Sequence, residues 1–168
     1  MLKKLTPIVI VAAMIVLIVL LFLSLASKQN MIVIKEGNLK LLPLEMELHK
    51  YQDSDCGMVI EDLTYASQVV APSGKTWFFH DHGGFVHWLE DKEFKDEAVI
   101  WVMSRDTHRW INAREAFYSL NESTPMGYGF GAYERTQEGF IDFDIMSLRT
   151  LRGETMNNPL IKKQLLGQ

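Results

Sequence analysis

A long uncharged segment near the amino terminus constrains this chain more than any other feature of its sequence. No charged residue occurs between Lys4 and Lys28. A helix of about twenty apolar residues rises about 1.5 Å per residue and covers the roughly 30 Å hydrocarbon core of a bilayer. The segment therefore predicts a transmembrane anchor helix within residues 1–27. The alternative is a cleaved signal peptide ending near Ala26, although the apolar region of such peptides is usually only about 7–15 residues long.

The distribution of basic residues predicts the side of the membrane on which the body lies. Lys3 and Lys4 lie close together at the amino terminus, whereas Lys28 and Lys35 are spread along the other flank. Basic residues are preferentially retained on the cytoplasmic side. We therefore expect a single-pass protein of the inner (cytoplasmic) membrane, with its body on the outer, periplasmic face.

The overall composition excludes several classes of protein. The chain has 17 Lys and Arg against 21 Asp and Glu, and it has one Cys. Without a basic run the chain is a poor nucleic-acid binder, because neutralising phosphates requires clustered Lys and Arg. A single cysteine excludes an internal disulfide framework and a cysteine-only metal cluster. The residues beyond the apolar segment, roughly 140 of them, suffice for one domain with a modest core.

The hydrophobic pattern of this body predicts an α+β fold. Two β-prone runs on either side of residues 71–74 indicate a hairpin, and the continuous apolar run 98–103 indicates a strand buried on both faces. Residues 85–92, 113–120 and 145–152 are predicted helices, the second capped by Asn112, and residues 126–133 are a predicted strand. We expect a small antiparallel sheet covered by helices. The predicted organisation is a juxtamembrane lead-in (28–50), the α+β domain (51–152) and a C-terminal tail (153–168).

The motif Asp55-Cys56-Gly57-Met58 carries the clearest chemical signal. In an extended segment Cys56 and Met58 would project to the same face, with their Cα atoms about 6.5–7 Å apart. A thiolate together with a thioether is a soft donor set that favours Cu(I) over hard cations. The alternative is an ordinary buried cysteine next to a methionine that fills a gap in the core.

A second candidate cluster holds three of the five histidines within eight residues, namely His80, His82 and His87. If a strand ends here, His80 and His82 share a face. Asp81 can then orient one of the two rings without itself binding the metal. The alternative is a polar strand end with solvated histidines. No H-E-x-x-H spacing supports a zinc hydrolase.

A third candidate is Met126, which follows a proline and precedes a glycine-broken segment. The backbone restriction around Pro125 can hold Met126 as a fixed thioether donor, although such a methionine is more often part of a core. The neighbouring glycines do not complete a phosphate-binding motif. The candidate metal-binding residues are therefore Cys56, Met58, His80, His82 and Met126.

The sequence offers no support for an enzyme. It contains no G-x-S-x-G motif and no set of residues whose order and spacing identify a catalytic triad. Cys56 paired with a distant histidine could act as a nucleophile, but nothing local supports that pairing. We therefore predict that the chain is not an enzyme.

Taken together, these segments resemble the nitrous-oxide reductase accessory protein family, the NosL-type copper chaperones. The resemblance covers residues 56–133, roughly half of the chain. Its parts occur in the family's order: Cys56-Gly57-Met58, Gly74-Lys75 running into Phe78-Phe79-His80-Asp81, Ile111-Asn112-Ala113 to Ala116-Phe117-Tyr118, and Thr124-Pro125-Met126-Gly127-Tyr128-Gly129.

The resemblance implies a copper-carrying α+β domain built from two related ββαβ-like halves. In that family copper is held as Cu(I) by a Cys, a Met and a His, and the domain serves the assembly of nitrous oxide reductase, an enzyme of denitrification, outside the cytoplasmic membrane. Two features depart from the family. Its members are usually lipoproteins, whereas no cysteine lies near residue 26, and Phe79-His80-Asp81 stands where the family has Phe-Asp-Asp.

The leading hypothesis is a membrane-tethered Cu(I) metallochaperone that delivers copper to a copper enzyme. The resemblance implies that its partners are nitrous oxide reductase and the membrane assembly machinery of that enzyme. One alternative is a metal-free, membrane-anchored assembly or interaction module, in which Cys56, Met58 and Met126 only pack. Another is an enzyme on a similar fold, such as a carbon–metal bond lyase or a thiol-dependent hydrolase. The single cysteine argues against a lyase that needs two thiols.

Overall fold

The computed structural model describes residues 2–25 and 31–167, and the chain divides into two compact units, Met1–Asn30 and Met31–Gln168. The first unit contains helix α1 (Leu2–Leu25), whose side chains are described over residues 10–22. Among the described residues no helix is long and apolar enough to cross a membrane, which requires about twenty apolar residues. This finding contradicts the predicted N-terminal transmembrane helix and the single-pass inner-membrane localisation.

The second unit is built on a five-stranded antiparallel sheet, which confirms the predicted α+β class. Its strands pair in the order β1-β3-β2-β4-β5. Strands β2 and β3 form the predicted hairpin, with Val69 opposite Trp77. β4 is the predicted strand, but only the face of Ile100 and Val102 is fully buried, since Val99 and Trp101 on the other face are partly exposed. The bounds are β1 (Ile34–Lys35), β2 (Ser67–Val70), β3 (Thr76–Phe79), β4 (Val99–Met103) and β5 (Trp110–Asn112).

The remaining elements of this unit lie outside the five-stranded sheet. They are α2 (His82–Glu90), a 3-10 helix (Ala113–Glu115), β6 (Phe117–Tyr118), β7 (Ala132–Tyr133), α3 (Phe143–Leu151) and α4 (Pro159–Leu165). The predicted helix over 113–120 is wrong beyond its first turn, although Asn112 caps that turn as expected. Phe117 and Tyr118 instead pair with β7 as a two-stranded sheet, because aromatic side chains fit a half-buried pleated surface well.

The prediction of two related ββαβ halves is also wrong. Among the described residues only β2, β3, α2 and β4 follow one another in that order. In the second half of the domain β5 joins the main sheet, while β6 and β7 pair with each other and are followed by α3. The alternating pattern cannot tell which sheet a short strand will join, since that depends on distant pairing partners.

Two groups of buried side chains lie on the two faces of β3. Phe79 belongs to the main core with Phe85, Ile100 and Phe143. Phe78 belongs to a smaller core and lies against Tyr51, with 4.6 Å between the ring centroids. Successive residues of a strand point to opposite faces.

The smaller core holds the segment 51–60 across the end of β3. Ser54 N donates to Phe78 O at 2.8 Å and anchors this segment to β3, whereas Ile60 N donates to Tyr51 O at 2.9 Å within the segment. The cysteine-bearing segment is thereby fixed beside the residues that follow Phe79. This arrangement decides which side chains meet at the site.

Candidate metal centre

The cysteine lies on a turn that a single buried aspartate organises. Asp53 is 1% exposed, and its Oδ1 accepts hydrogen bonds from Asp55 N at 2.8 Å and Cys56 N at 3.1 Å. Gly57 follows with φ of 76°, a left-handed conformation that glycine adopts without steric cost. The segment is therefore a tight turn, and the extended conformation assumed for Cys56 and Met58 is wrong.

The same carboxylate also holds a histidine. Asp53 Oδ2 lies 2.5 Å from His80 Nδ1 and accepts a hydrogen bond from His80 N at 2.9 Å. Burial raises the pKa of Asp53, but the hydrogen bonds from the side chain and backbone of His80 and from the amides of Asp55 and Cys56 outweigh it, and the net pKa is lowered. Asp53 is therefore an ionised carboxylate at neutral pH that ties the cysteine turn to the end of β3.

These contacts bring three potential metal ligands together. Cys56 Sγ lies 3.9 Å from His80 Nδ1, and the donor atoms of Asp53, Cys56 and His80 all lie within 4.8 Å of one another. Donors of a single ion are separated by about this much or less, because metal–sulfur and metal–nitrogen bonds are about 2.0–2.3 Å long. Sequence reasoning had selected Cys56 and His80 but had missed Asp53. The sequence did contain a signal for Asp53. An Asp three residues before the cysteine can accept hydrogen bonds from the backbone amides that follow it.

The protonation state of the thiol follows from its surroundings. Burial raises the pKa of Cys56, and the negative charges of Asp53 and Asp55 raise it further, while a backbone hydrogen bond at Met58 opposes them. The thiol therefore keeps its proton at neutral pH, and an arriving metal ion must displace it. Cys56 is partly exposed, so an ion can reach it from solvent.

An open groove adjoins the group formed by Asp53, Cys56 and His80. Two segments that carry predicted metal ligands also border this groove. The groove has a volume of about 580 Å³ and is bounded by the segment after Cys56, by His80 and by the loop that precedes Met126. Met58 lies on its wall with 46% of its surface exposed. The residues that line the groove are Gly57, Met58, Val59, Glu61, Asp62, His80 and Pro125.

Met126 lies on the loop before β7 and packs beside the first turn of α2. Its backbone N donates to Asp81 Oδ2 at 2.8 Å. Its sulfur lies 3.9 Å from the position that a Cβ atom would take at Gly84. Met58 thus lines the groove, whereas the thioether of Met126 lies against α2 and only its neighbour Pro125 lines the groove.

His82 occupies a different environment from His80. It is fully buried, its Nδ1 lies 2.8 Å from Ser67 Oγ, and burial lowers its pKa to about 3. It does not belong to the group formed by Asp53, Cys56 and His80. The two histidines do not share a face, because β3 ends at Phe79 and His82 begins α2. His87 is exposed on α2, with its ring 5.9 Å from that of Tyr128.

Comparison with known proteins bears on the fold. No protein-family model and no curated protein matches this chain. The structure is similar to the crystal structure of the copper chaperone NosL from Shewanella denitrificans, with a TM-score of 0.50 and 18% identity over 61% of this chain and 96% of that one. The chain therefore has a NosL-like fold. That neighbour is named as a copper chaperone, and at this identity the likeness shows the fold alone.

Proposed function

We propose that this protein is a copper metallochaperone. The observation that carries the proposal is the approach of Cys56 Sγ to within 3.9 Å of His80 Nδ1 at the edge of an open groove. A cysteine thiolate and an imidazole form a donor set that suits copper and zinc. The similarity to a protein named as a copper chaperone favours copper.

We propose Cu(I) as the transported ion, with Cys56 as the dominant ligand and His80 as the nitrogen donor. Cys56 supplies the only thiol of the sequence, which becomes a thiolate when the ion displaces its proton. Soft thioethers at Met58 and Met126 can complete a coordination sphere of low number. His80 is preferred to His82, because His80 belongs to the donor group with Cys56, whereas His82 is fully buried and lies outside that group.

The openness of the site supports a carrier in preference to a permanent structural site. Structural zinc sites are closed by four protein ligands, whereas a carrier must pass its ion to another protein. Met58 is 46% exposed, and the groove reaches His80 from solvent. We propose a copper enzyme as the recipient, and the resemblance of the sequence motifs makes nitrous oxide reductase the candidate.

Metal competition on the purified full-length protein, prepared anaerobically, tests the proposal. We expect one Cu(I) per chain to be retained against a Cu(I) chelator and Zn(II) to be held more weakly. Cys56→Ser should lose copper almost completely, and His80→Ala should weaken binding about 10–100-fold, as losses in a metal's ligand environment commonly do. His87→Ala is the matched control, because His87 is an exposed histidine outside the donor group.

Three outcomes would contradict the proposal. Full copper affinity in Cys56→Ser would show that the site lies elsewhere. Retention of zinc equal to that of copper would argue for a structural or hydrolytic site. If His87→Ala weakened binding as much as His80→Ala, the nitrogen donor would be wrongly assigned.

A further inference from the structure

The loop that carries Met126 is a compact turn held from one side by the C-terminal segment. Gly127 N donates to Thr124 O at 3.0 Å, and Gly127 has φ of 74°. A Cβ atom at Gly127 would lie 2.5 Å from Asn157 Oδ1. The segment around Asn157 therefore packs closely against the turn. Met156 N donates to Tyr128 O at 3.2 Å. These contacts fix the shape of the loop, but none of them connects it to Cys56 or His80.

Asp81 supplies that connection. Its side chain is 0% exposed. Oδ1 accepts a hydrogen bond from Gly83 N at 3.3 Å and caps α2, whereas Oδ2 accepts one from Met126 N at 2.8 Å. One carboxylate thus joins two segments that are 45 residues apart, and it belongs to the residue immediately after His80.

We propose that Asp81 is a positioning residue that sets the thioether of Met126 relative to the Cys56–His80 pair. This inference rests on the proposed copper function. A neutral thioether is a weak donor, and it contributes to affinity mainly when its position is fixed before the ion arrives. Through Asp81, the backbone of Met126 is held by one hydrogen bond to the residue adjacent to the nitrogen donor.

Capping of α2 is the competing explanation for a buried aspartate at this position, and substitutions can separate the two roles. In Asp81→Asn the side-chain oxygen can still cap the helix, because Asn caps as well as Asp does. Its amide group would then face the N–H of Met126, so that two donors oppose each other. Asp81→Ser also preserves a good cap, but its side chain is too short to reach Met126.

The matched control is Asp142→Asn. Asp142 caps α3 by accepting a hydrogen bond from Ile145 N at 2.9 Å, and the structure gives it no bond to the loop of Met126. The control therefore changes a helix cap by the same chemistry without touching the proposed anchor. A readout that changes with Asp81 but not with Asp142 reports positioning and not capping.

The first experiment needs no metal. In methyl NMR spectra of the metal-free full-length protein, Asp81→Asn and Asp81→Ser should shift and broaden the Met126 ε-methyl resonance, and Asp142→Asn should leave it unchanged. An unchanged Met126 resonance in both Asp81 variants would overturn the inference.

The second experiment measures copper. Asp81→Asn should weaken Cu(I) binding about 10–100-fold, a loss typical of residues that orient a metal's ligands, and X-ray absorption should show one sulfur fewer around copper. The Met126→Ala variant should show the same loss, and the double variant should be no weaker than either single one, as expected for residues that act as a unit.

An intact sulfur shell in Asp81→Asn, or additive losses in the double variant, would overturn the positioning role while leaving the copper function standing. Absence of copper binding by the wild-type protein would instead contradict the proposed function. The metal-free spectra would then still decide whether Asp81 anchors the loop.

Discussion

Replacing Asp53 by Asn tests whether one buried carboxylate organises the candidate site. The substitution keeps an oxygen for the amides of Asp55 and Cys56, but it removes the acceptor that faces the ring and backbone N–H of His80. A hydrogen bond to a charged group contributes about 1.5–3 kcal/mol, and a buried donor left without an acceptor costs about 1–3 kcal/mol. We therefore expect the free energy of unfolding to fall by about 3 kcal/mol. For a domain of this size the melting temperature should fall by roughly 10 °C.

Thermal unfolding of the metal-free full-length protein, followed by circular dichroism, measures this effect. Asp62→Asn is the control. Asp62 also caps a turn, accepting from Thr64 N at 2.8 Å, but it lies at the surface. The control should stay within about 0.5 kcal/mol of wild type, as surface substitutions usually do. A loss below about 1 kcal/mol in Asp53→Asn would refute the reasoning, since a buried acceptor of this kind should cost more.

The pH dependence of the same experiment has a definite sign. The pKa of Asp53 is lowered in the folded protein, mainly because hydrogen bonds from His80 outweigh the effect of burial. Its stabilising contribution is therefore fully present above the pKa of an unfolded aspartate, about 3.9, and is lost as the pH falls through the lower folded value. The difference between wild type and Asp53→Asn should shrink as the pH falls below about 4. A difference that grows as the pH falls below about 4 would contradict this assignment.

Three further predictions concern the thiol, the exposed thioether and the first turn of α2. Because burial raises the pKa of Cys56, each Cu(I) ion that binds must release one proton, and the Cu(I) affinity should rise about tenfold per pH unit across the neutral range. A pH-independent affinity in chelator competition would exclude the Cys56 thiolate as a ligand. Met58→Ala should weaken Cu(I) binding less than Cys56→Ser does, because a thioether is neutral; equal losses in the same assay would contradict this ranking. Gly83→Ala should destabilise the protein by about 2 kcal/mol through overpacking, because its Cβ would lie 2.1 Å from the ring of Tyr128. Gly84→Ala, whose nearest contact is at 3.9 Å, should instead stabilise the helix by about 0.5–1 kcal/mol, and similar melting temperatures for the two variants would refute the steric argument.

Local sequence patterns predicted several elements because those elements depend on neighbouring residues. The hairpin of β2 and β3 follows from two β-prone runs around a turn, and β4 follows from a continuous apolar run. Helices α2 and α3 follow from apolar spacing, and the structure shows that Asp81 and Asp142 cap them. The pattern failed at Phe117 and Tyr118, where pairing with β7 replaced a predicted helix.

The sequence by itself determined which donors this protein has: one thiol, a cluster of histidines around residue 80 and a methionine on a glycine-containing loop. Only the tertiary structure decided which of them meet. Cys56 and His80 are 24 residues apart, and their contact depends on a segment packed across the end of β3. Because β3 ends before His80, His80 and His82 lie in different environments. Asp53 belongs to the site because it forms hydrogen bonds with His80. Residue types are read from the chain directly, whereas contacts between distant segments depend on packing and register, which no local pattern contains.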